Sequence, residues 1–254
     1  MAKAGLSVLL AAVAWATPAG SVTFEEVEGI VGQVRVLVSR GPHPEDSTLW
    51  VDRFEFASAA VVDADLLLTA AHAVTRGGES LDSIEVWDHV LTQYRPCRVL
   101  ALAAGRDLAA LHCPGYPYAG LTLADAPPVV SATLYLAGYP AFAYRTPRMV
   151  MSKGALLGIS ASLPGAEVFP DRRNLYLVDI PAYDGQSGGP VFNERLELVA
   201  IVTRSAQASD GRWSGSTFGI GADELRPFLA TAKRRLAAPD AYRELLDRKN
   251  KKDG

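Results

Sequence analysis

The chain has little cysteine, little methionine and no surplus of one charge. Two cysteines among 254 residues are too few for a disulfide-built scaffold, so an apolar core must hold the fold. Lys and Arg number 25 against 28 Asp and Glu, a formal net charge of −3. A general nucleic-acid binder would be strongly basic, and that class is excluded. No uninterrupted apolar run approaches the roughly 18 residues of a membrane helix, which excludes a multi-span membrane protein. Internal repeats and low-complexity linkers are also lacking. What is present is globular: the hydrophobic set is 49% and charged residues are 21%, enough to fill a sizeable core of one or two domains.

The first residues have the pattern of an export signal. Lys3 supplies a positive start, Ala4 to Ala16 an apolar stretch, and Ala14-Trp15-Ala16 and Thr17-Pro18-Ala19 small residues for cleavage. A cut after Ala19 is preferred, because the other site leaves Thr-Pro at the new terminus. A retained N-terminal anchor is the alternative. Localisation is therefore expected to be secreted or periplasmic. From Val31 to about Ile220 the pattern is one of short strands: 31–39, 54–62, 66–70, 95–103, 108–113, 132–137, 149–159, 175–180, 196–202 and 217–220. Gly and Pro clusters separate them, at Gly41-Pro42, Pro114-Gly115, Gly138-Tyr139-Pro140 and Pro164-Gly165. Many short strands at near-regular spacing indicate an all-β barrel or sandwich. The tail differs. Leu225, Phe228, Leu229 and Leu236 recur at helical spacing within 222–236, a second short helix is expected over 241–248, and Arg248 to Lys252 is a basic, solvated end.

The strongest chemical signal is Gly185-Gln186-Ser187-Gly188-Gly189-Pro190. Its five fixed positions match by chance at about 10⁻⁶ per starting point. Glycines flanking a serine let a substrate backbone approach and permit a sharp turn. The N–H groups of Gly185 and Ser187 could then hold a developing oxyanion. A serine nucleophile needs a general base, and His72 ends Thr69-Ala70-Ala71-His72 after the apolar run Leu66-Leu67-Leu68. His43, His89 and His112 are read as packed or surface histidines. The carboxylate that orients the base is expected at Asp107, an acid entering the apolar run Leu108 to Leu111 and so in need of a buried partner. Asp82 and Asp88 sit in polar surroundings and are read as surface residues.

The order His72, Asp107, Ser187, with these three motifs, resembles the trypsin-like (chymotrypsin-fold) serine proteases. That order differs from those of subtilisins and α/β-hydrolases. Arg98-Val99-Leu100 leading into Asp107-Leu108-Ala109-Ala110-Leu111 looks like the HtrA-type protease domain, and Val191-Phe192-Asn193-Glu194 also looks like glutamyl endopeptidases. No room for a PDZ domain is expected after residue 230. The resemblance implies two antiparallel six-stranded β-barrels with a C-terminal helix. The first barrel, carrying His72 and Asp107, is expected over 20–118. The second, carrying Ser187, is expected over 119–221, and the helix and basic tail over 222–254. It also implies an endopeptidase acting on protein or peptide substrates, with catalytic His72, Asp107 and Ser187, an oxyanion hole of Gly185 and Ser187, and no cofactor. A catalytically silent binding module of the same fold is the alternative.

Several positions depart from that family. Glu28-Gly29-Ile30-Val31-Gly32 resembles the N-terminus that trypsin zymogens expose, but the acid that would pair with it is replaced by Gln186. Ile30-Val31-Gly32 is therefore read as part of the first strand. Pro181 stands where trypsin has the acid that binds a basic P1 side chain, so a basic P1 preference is not expected. Asp184, Thr203, Arg204 and Ser205 are the further substrate-binding candidates, with Arg204 favouring acidic groups. Val202 occupies the place of a histidine usual in glutamyl endopeptidases, so small or aliphatic P1 residues are as well supported as Glu. Cys97 and Cys113 flank a hairpin centred on Gly105. They form either a disulfide between opposed strands or two reduced, buried thiols. His112 beside Cys113 lacks the ligand spacing for zinc, and no metal site is expected.

Overall fold

The computed structural model describes residues 22–42, 50–76, 79–81, 83–141, 147–160, 175–207 and 213–238. The export signal, the helix expected over 241–248, the basic tail, His43 and Asp82 lie outside the described residues.

The first half of the chain is a closed barrel. Its strands are β1 (Val31–Pro42), β2 (Trp50–Asp63) and β3 (Leu66–Ala70), then β6 (Ile84–Asp88), β7 (Gln93–Ala103) and β8 (Leu108–His112). A two-stranded ribbon, β4 (Thr75–Arg76) and β5 (Glu79–Ser80), intervenes. The barrel order is β1-β2-β3-β8-β7-β6, and β1 closes it by pairing Val34 with Val86 of β6. The sequence pattern predicts no strand between Ala70 and Arg95, yet β6 lies there. Its Ile84 and Val86 alternate into the barrel core with Val34, Val36, Ala57, Ala59, Val61, Leu67 and Leu111. Asp88, at the end of β6, corrects the surface reading. It is fully buried, pairs with Arg95 Nε at 2.5 Å and accepts the Val90 and Leu91 N–H groups. An acid with that many donors tolerates loss of water.

The second half closes in the same way. β9 (Thr122–Leu123) precedes β10 (Thr133–Gly138), β11 (Val150–Ser160), β12 (Leu175–Val178), β13 (Pro190–Phe192), β14 (Glu197–Gln207) and β15 (Trp213–Gly221). The order is β13-β10-β11-β12-β15-β14, a β13–β14 pairing completes the ring, and β9 adds in parallel to β14. The chain thus forms two closed six-stranded antiparallel barrels. Leu134, Leu136, Leu156, Tyr176, Val178, Val191 and Val202 belong to the second core.

A third apolar layer joins the halves. The C-terminal helix α2 (Ala222–Ala237) sets Leu225, Phe228, Leu229 and Ala232 against Leu66, Leu68 and Leu108 of the first barrel and Ile201, Phe218 and Ile220 of the second. This layer explains why β3 is buried at every position. Leu67 faces the first core, while Leu66 and Leu68 face the helix layer. Each such leucine contributes about 1.5–3 kcal/mol. Asp223 and Glu224 in the first turn of the helix and Arg234 and Arg235 in the last complement its dipole. Lys233 Nζ bridges to Asp63 Oδ2 at 2.6 Å, tying the helix to β2. No described helix is long and apolar enough to cross a membrane. At the other end a short helix, α1 (Phe24–Glu28), carries a Thr23–Glu26 capping box and buries Val27 against Tyr135, Tyr139 and Phe192. Val31 follows in register with Ala60, so Val31-Gly32 is strand, and Ile30 stands just before it with its carbonyl accepting from Val61 N–H.

Candidate active site

His72 sits in a 3₁₀ turn, Ala71–Ala73, that stops β3. Asp107 sits at the end of a second 3₁₀ turn, Ala104–Arg106, between β7 and β8. The two turns are neighbours because β3 pairs with β8, Ala70 opposite Leu108. A bulge between Val99 and Ala101 shifts the β7–β8 register by one residue close to the turn. There Asp107 takes a left-handed conformation, φ 54°, which Asp tolerates better than most residues.

Asp107 holds the Ala71–His72 turn at both levels. Its carbonyl accepts from Ala71 N–H at 3.1 Å. Its carboxylate accepts from His72 N–H at 2.9 Å and lies 2.9 and 3.0 Å from His72 Nδ1 through its two oxygens. The carboxylate side chain is 2% exposed, whereas the His72 side chain is 47% exposed. The acid is therefore fixed in the interior and the far edge of the ring faces outward. The Thr203 hydroxyl also donates to Asp107 Oδ2. Thr203 lies at a register shift in β14, between Val202 and Arg204, and such an irregularity re-aims a side chain. Burial alone would push the Asp107 carboxyl up. The hydrogen bonds and charge of His72, with the Thr203 hydroxyl, outweigh that and hold it below its ordinary value.

The Ser187 loop is built differently, from backbone. Gly185 and Gly188 have φ of +90° and +83°. A Cβ on Gly188 would lie 2.1 Å from Thr69 Oγ1 and 2.2 Å from the Ser58 carbonyl. Glycine is thus required for the loop to sit against the end of β3 that carries His72. Ser187 O accepts from Ser58 N–H at 2.8 Å, and Gly188 N–H donates to Val202 O at 2.8 Å.

Two amide donors in this loop are oriented and meet no acceptor among the described residues. Asp184 O accepts from Ala141 N–H at 2.7 Å, and Gln186 O accepts from Gly189 N–H at 3.0 Å. In a trans peptide the N–H points opposite to its carbonyl. Anchoring those carbonyls therefore turns the N–H groups of Gly185 and Ser187 the other way. Among the described residues neither donates to a protein acceptor. No hydrogen bond joins Ser187 Oγ to the His72 ring among the described residues, a contact that in such sites often tightens only with substrate.

The remaining candidates fall around this centre. Gln186 is fully buried; its Oε1 accepts from Tyr183 N–H at 2.9 Å, and its N–H donates to Tyr183 O at 2.9 Å. An uncharged side chain thus shapes the turn before Ser187. Pro181 is half-buried, and Asp184 and Arg204 are exposed. Ser205 Oγ donates to Ala182 O at 2.9 Å, linking β14 to the segment after Pro181. Cys97 and Cys113 form a disulfide with Cα atoms 4.4 Å apart, which settles the open pair and staples the β7–β8 hairpin below Asp107. His112 faces Arg98, and His89 packs on Tyr139 beside a cavity of about 450 Å³ lined by Glu25, Glu28 and Tyr118. Sequence reading missed Ser58 and Thr69, whose roles depend on partners far away in the chain, and the contact of Thr203 with Asp107.

Residues 57–201 match the model of the trypsin-like peptidase domain. The structure is similar to the active form of the Rv3671c protease from M. tuberculosis, with 19% identity, a TM-score of 0.62 and 82% of each chain covered. It is also similar to the HtrA-type protease AlgW with a decapeptide, with 17% identity and a TM-score of 0.66, covering 81% of this chain and 65% of that one. At these identities the likeness is one of fold. No curated protein matches the sequence.

Proposed function

The chain belongs to the trypsin-like peptidase domain family, and from that premise we propose that it is a serine endopeptidase using Ser187, His72 and Asp107. The observation that carries this reading is the pairing of a carboxylate-held imidazole with a glycine loop whose two amide donors point away from their anchored carbonyls. Ser187 Oγ attacks the scissile carbonyl carbon while His72 Nε2 takes its proton. Asp107 keeps the other ring proton on Nδ1 and stabilises the imidazolium. The carbonyl oxygen becomes an oxyanion held by the N–H groups of Gly185 and Ser187. His72 then passes its proton to the leaving amine, the C–N bond breaks and an acyl-enzyme remains. Water, deprotonated by His72, attacks the ester carbon; the C–Oγ bond breaks, the acid product leaves and His72 returns the proton to Ser187 Oγ.

Three finer features belong to the same reading. Gln186 carries no charge to pair with a new α-amino group, and Val31 is already strand, so activity needs no cut before Ile30. Pro181 offers no charge for a basic P1 side chain, and the Ser205–Ala182 hydrogen bond ties together the two segments that would line its pocket. This supports an uncharged P1 residue, small or aliphatic. The opening Lys3 to Ala19 pattern favours export to an oxidising compartment, in keeping with a disulfide.

Digestion of an unfolded protein, with the new termini read by mass spectrometry, tests this reading. We expect cleavage after small or aliphatic residues that disappears in Ser187→Ala. A protein that cleaves nothing, yet binds peptides equally well with and without that substitution, is instead a silent binding module.

A further inference from the structure

Ser58 stands out in β2 as one hydroxyl in the run Ala57-Ser58-Ala59-Ala60. It is fully buried. A buried hydroxyl is unfavourable unless both its donor and its acceptor capacity are used, and here both are. Ser58 Oγ donates to Gly185 O at 2.8 Å and accepts from Tyr139 N–H at 2.8 Å. Its backbone is committed to the same region: Ser58 N–H donates to Ser187 O at 2.8 Å, and Ser58 O accepts from Thr69 Oγ1 at 2.7 Å. One residue of the first barrel thereby touches the nucleophile loop twice, the corner after β10 once, and the strand that carries His72 once.

The consequence falls on Gly185. Its φ is +90°, and without a Cβ the torsions on either side of it are soft. A rotated peptide there would swing the Gly185 N–H away from the reacting carbonyl. Two clamps oppose that rotation. Ala141 N–H holds the carbonyl before Gly185, at 2.7 Å, and the Ser58 hydroxyl holds the carbonyl of Gly185 itself, at 2.8 Å. With both neighbouring peptide planes fixed, neither torsion of Gly185 can change alone. Gly138 and Gly189, the glycines packed against Ser58, carry no side chain that could take the place of its hydroxyl.

We propose that Ser58 is a positioning residue, whose hydroxyl locks the peptide after Gly185 and so keeps the oxyanion-binding N–H of Gly185 aimed. This inference rests on the endopeptidase reading above. It separates Ser58 from a residue that merely supports folding, because its effect belongs to the transition state. Interactions made only there change kcat and leave substrate binding alone.

The test compares the wild type, Ser58→Ala and Ser58→Cys, which keeps bulk and a weak donor. Active sites are counted by burst titration, so that unfolded protein does not enter the rate. For Ser58→Ala we expect kcat per titrated site to fall by about 10- to 100-fold, with KM within about twofold. Affinity for a peptide boronate, whose tetrahedral adduct mimics the oxyanion, should fall in the same proportion as kcat/KM. Ser58→Cys should lie between the two and serves alone if the alanine variant does not fold. Unchanged kcat and boronate affinity in the folded variant would overturn the role of Ser58. A wild type that neither cleaves peptides nor binds the boronate would instead overturn the endopeptidase reading on which it rests.

Discussion

The two halves of the candidate site are held in place by different means. His72 and Asp107 are held around one side chain: a buried carboxylate with three donors, set in a left-handed turn above a disulfide across the hairpin. Ser187 is fixed mainly through its loop's backbone, by anchored carbonyls, one of them held by the Ser58 hydroxyl, and by glycines that pack where a Cβ cannot fit. The proposed division of labour matches this difference. A proton-transfer base must keep one tautomer and one orientation, which a charged partner supplies. An oxyanion site built from amides must aim N–H groups, which anchoring of the neighbouring carbonyls supplies.

Substitutions that strike each half separately sharpen the contrast. The largest effect is expected for Ser187→Ala, a loss in kcat on the order of 10⁶-fold, with Asp107→Asn at about 10⁴-fold. Steady-state kinetics on a peptide substrate measures both, and neither should prevent folding. Gly188→Ala breaks the backbone half instead. Its Cβ would meet Thr69 Oγ1 at 2.1 Å and the Ser58 carbonyl at 2.2 Å. The loop must move, at a cost of about 2–4 kcal/mol in denaturant titrations and about 10²-fold in kcat.

Removing the staple should touch stability before chemistry. Replacing Cys97 and Cys113 by serine opens a loop of sequence separation 16. Stability is expected to fall by roughly 3 kcal/mol, seen as an earlier urea midpoint, while the folded fraction keeps most of its rate.

The smallest effect is one of pH. The Asp107 carboxyl lies below its ordinary value of 3.8 when folded, so the unfolded chain takes up that proton more readily. Its stabilisation is complete above about pH 5 and is lost as the pH falls through the folded value. In Asp107→Asn the drop in Tm from about pH 6 to about pH 3 should therefore be shallower than in the wild type. An equal or steeper drop would show that Asp107 is not held as described.

Much of this architecture is readable from sequence where the signal is local. The run Leu66 to Ala70, the helix carrying Leu225, Phe228 and Leu229, and the glycine motif around Ser187 all announce themselves within a few residues. What escapes is what depends on distant partners. Ile84–Asp88 reads as a short mixed segment, and only its pairing with both β1 and β7 makes it the strand that closes the first barrel. Asp88 looks like a surface acid until Arg95 and the Val90 and Leu91 amides surround it. Ser58 is an unremarkable small residue among alanines, and Thr203 an ordinary strand residue. Their hydroxyls acquire meaning only when the barrels meet, at Gly185 and at Asp107.

The central claim is that Ser187 is an activated nucleophile in the protein as made. Intact-mass analysis after exposure to a fluorophosphonate probe tests it most directly, beside Ser187→Ala and His72→Ala. The account predicts a single adduct on the wild type and none on either variant, with no prior cut before Ile30. A wild type that stays unlabelled, before and after limited proteolysis, would contradict it and leave a fold that binds without catalysing.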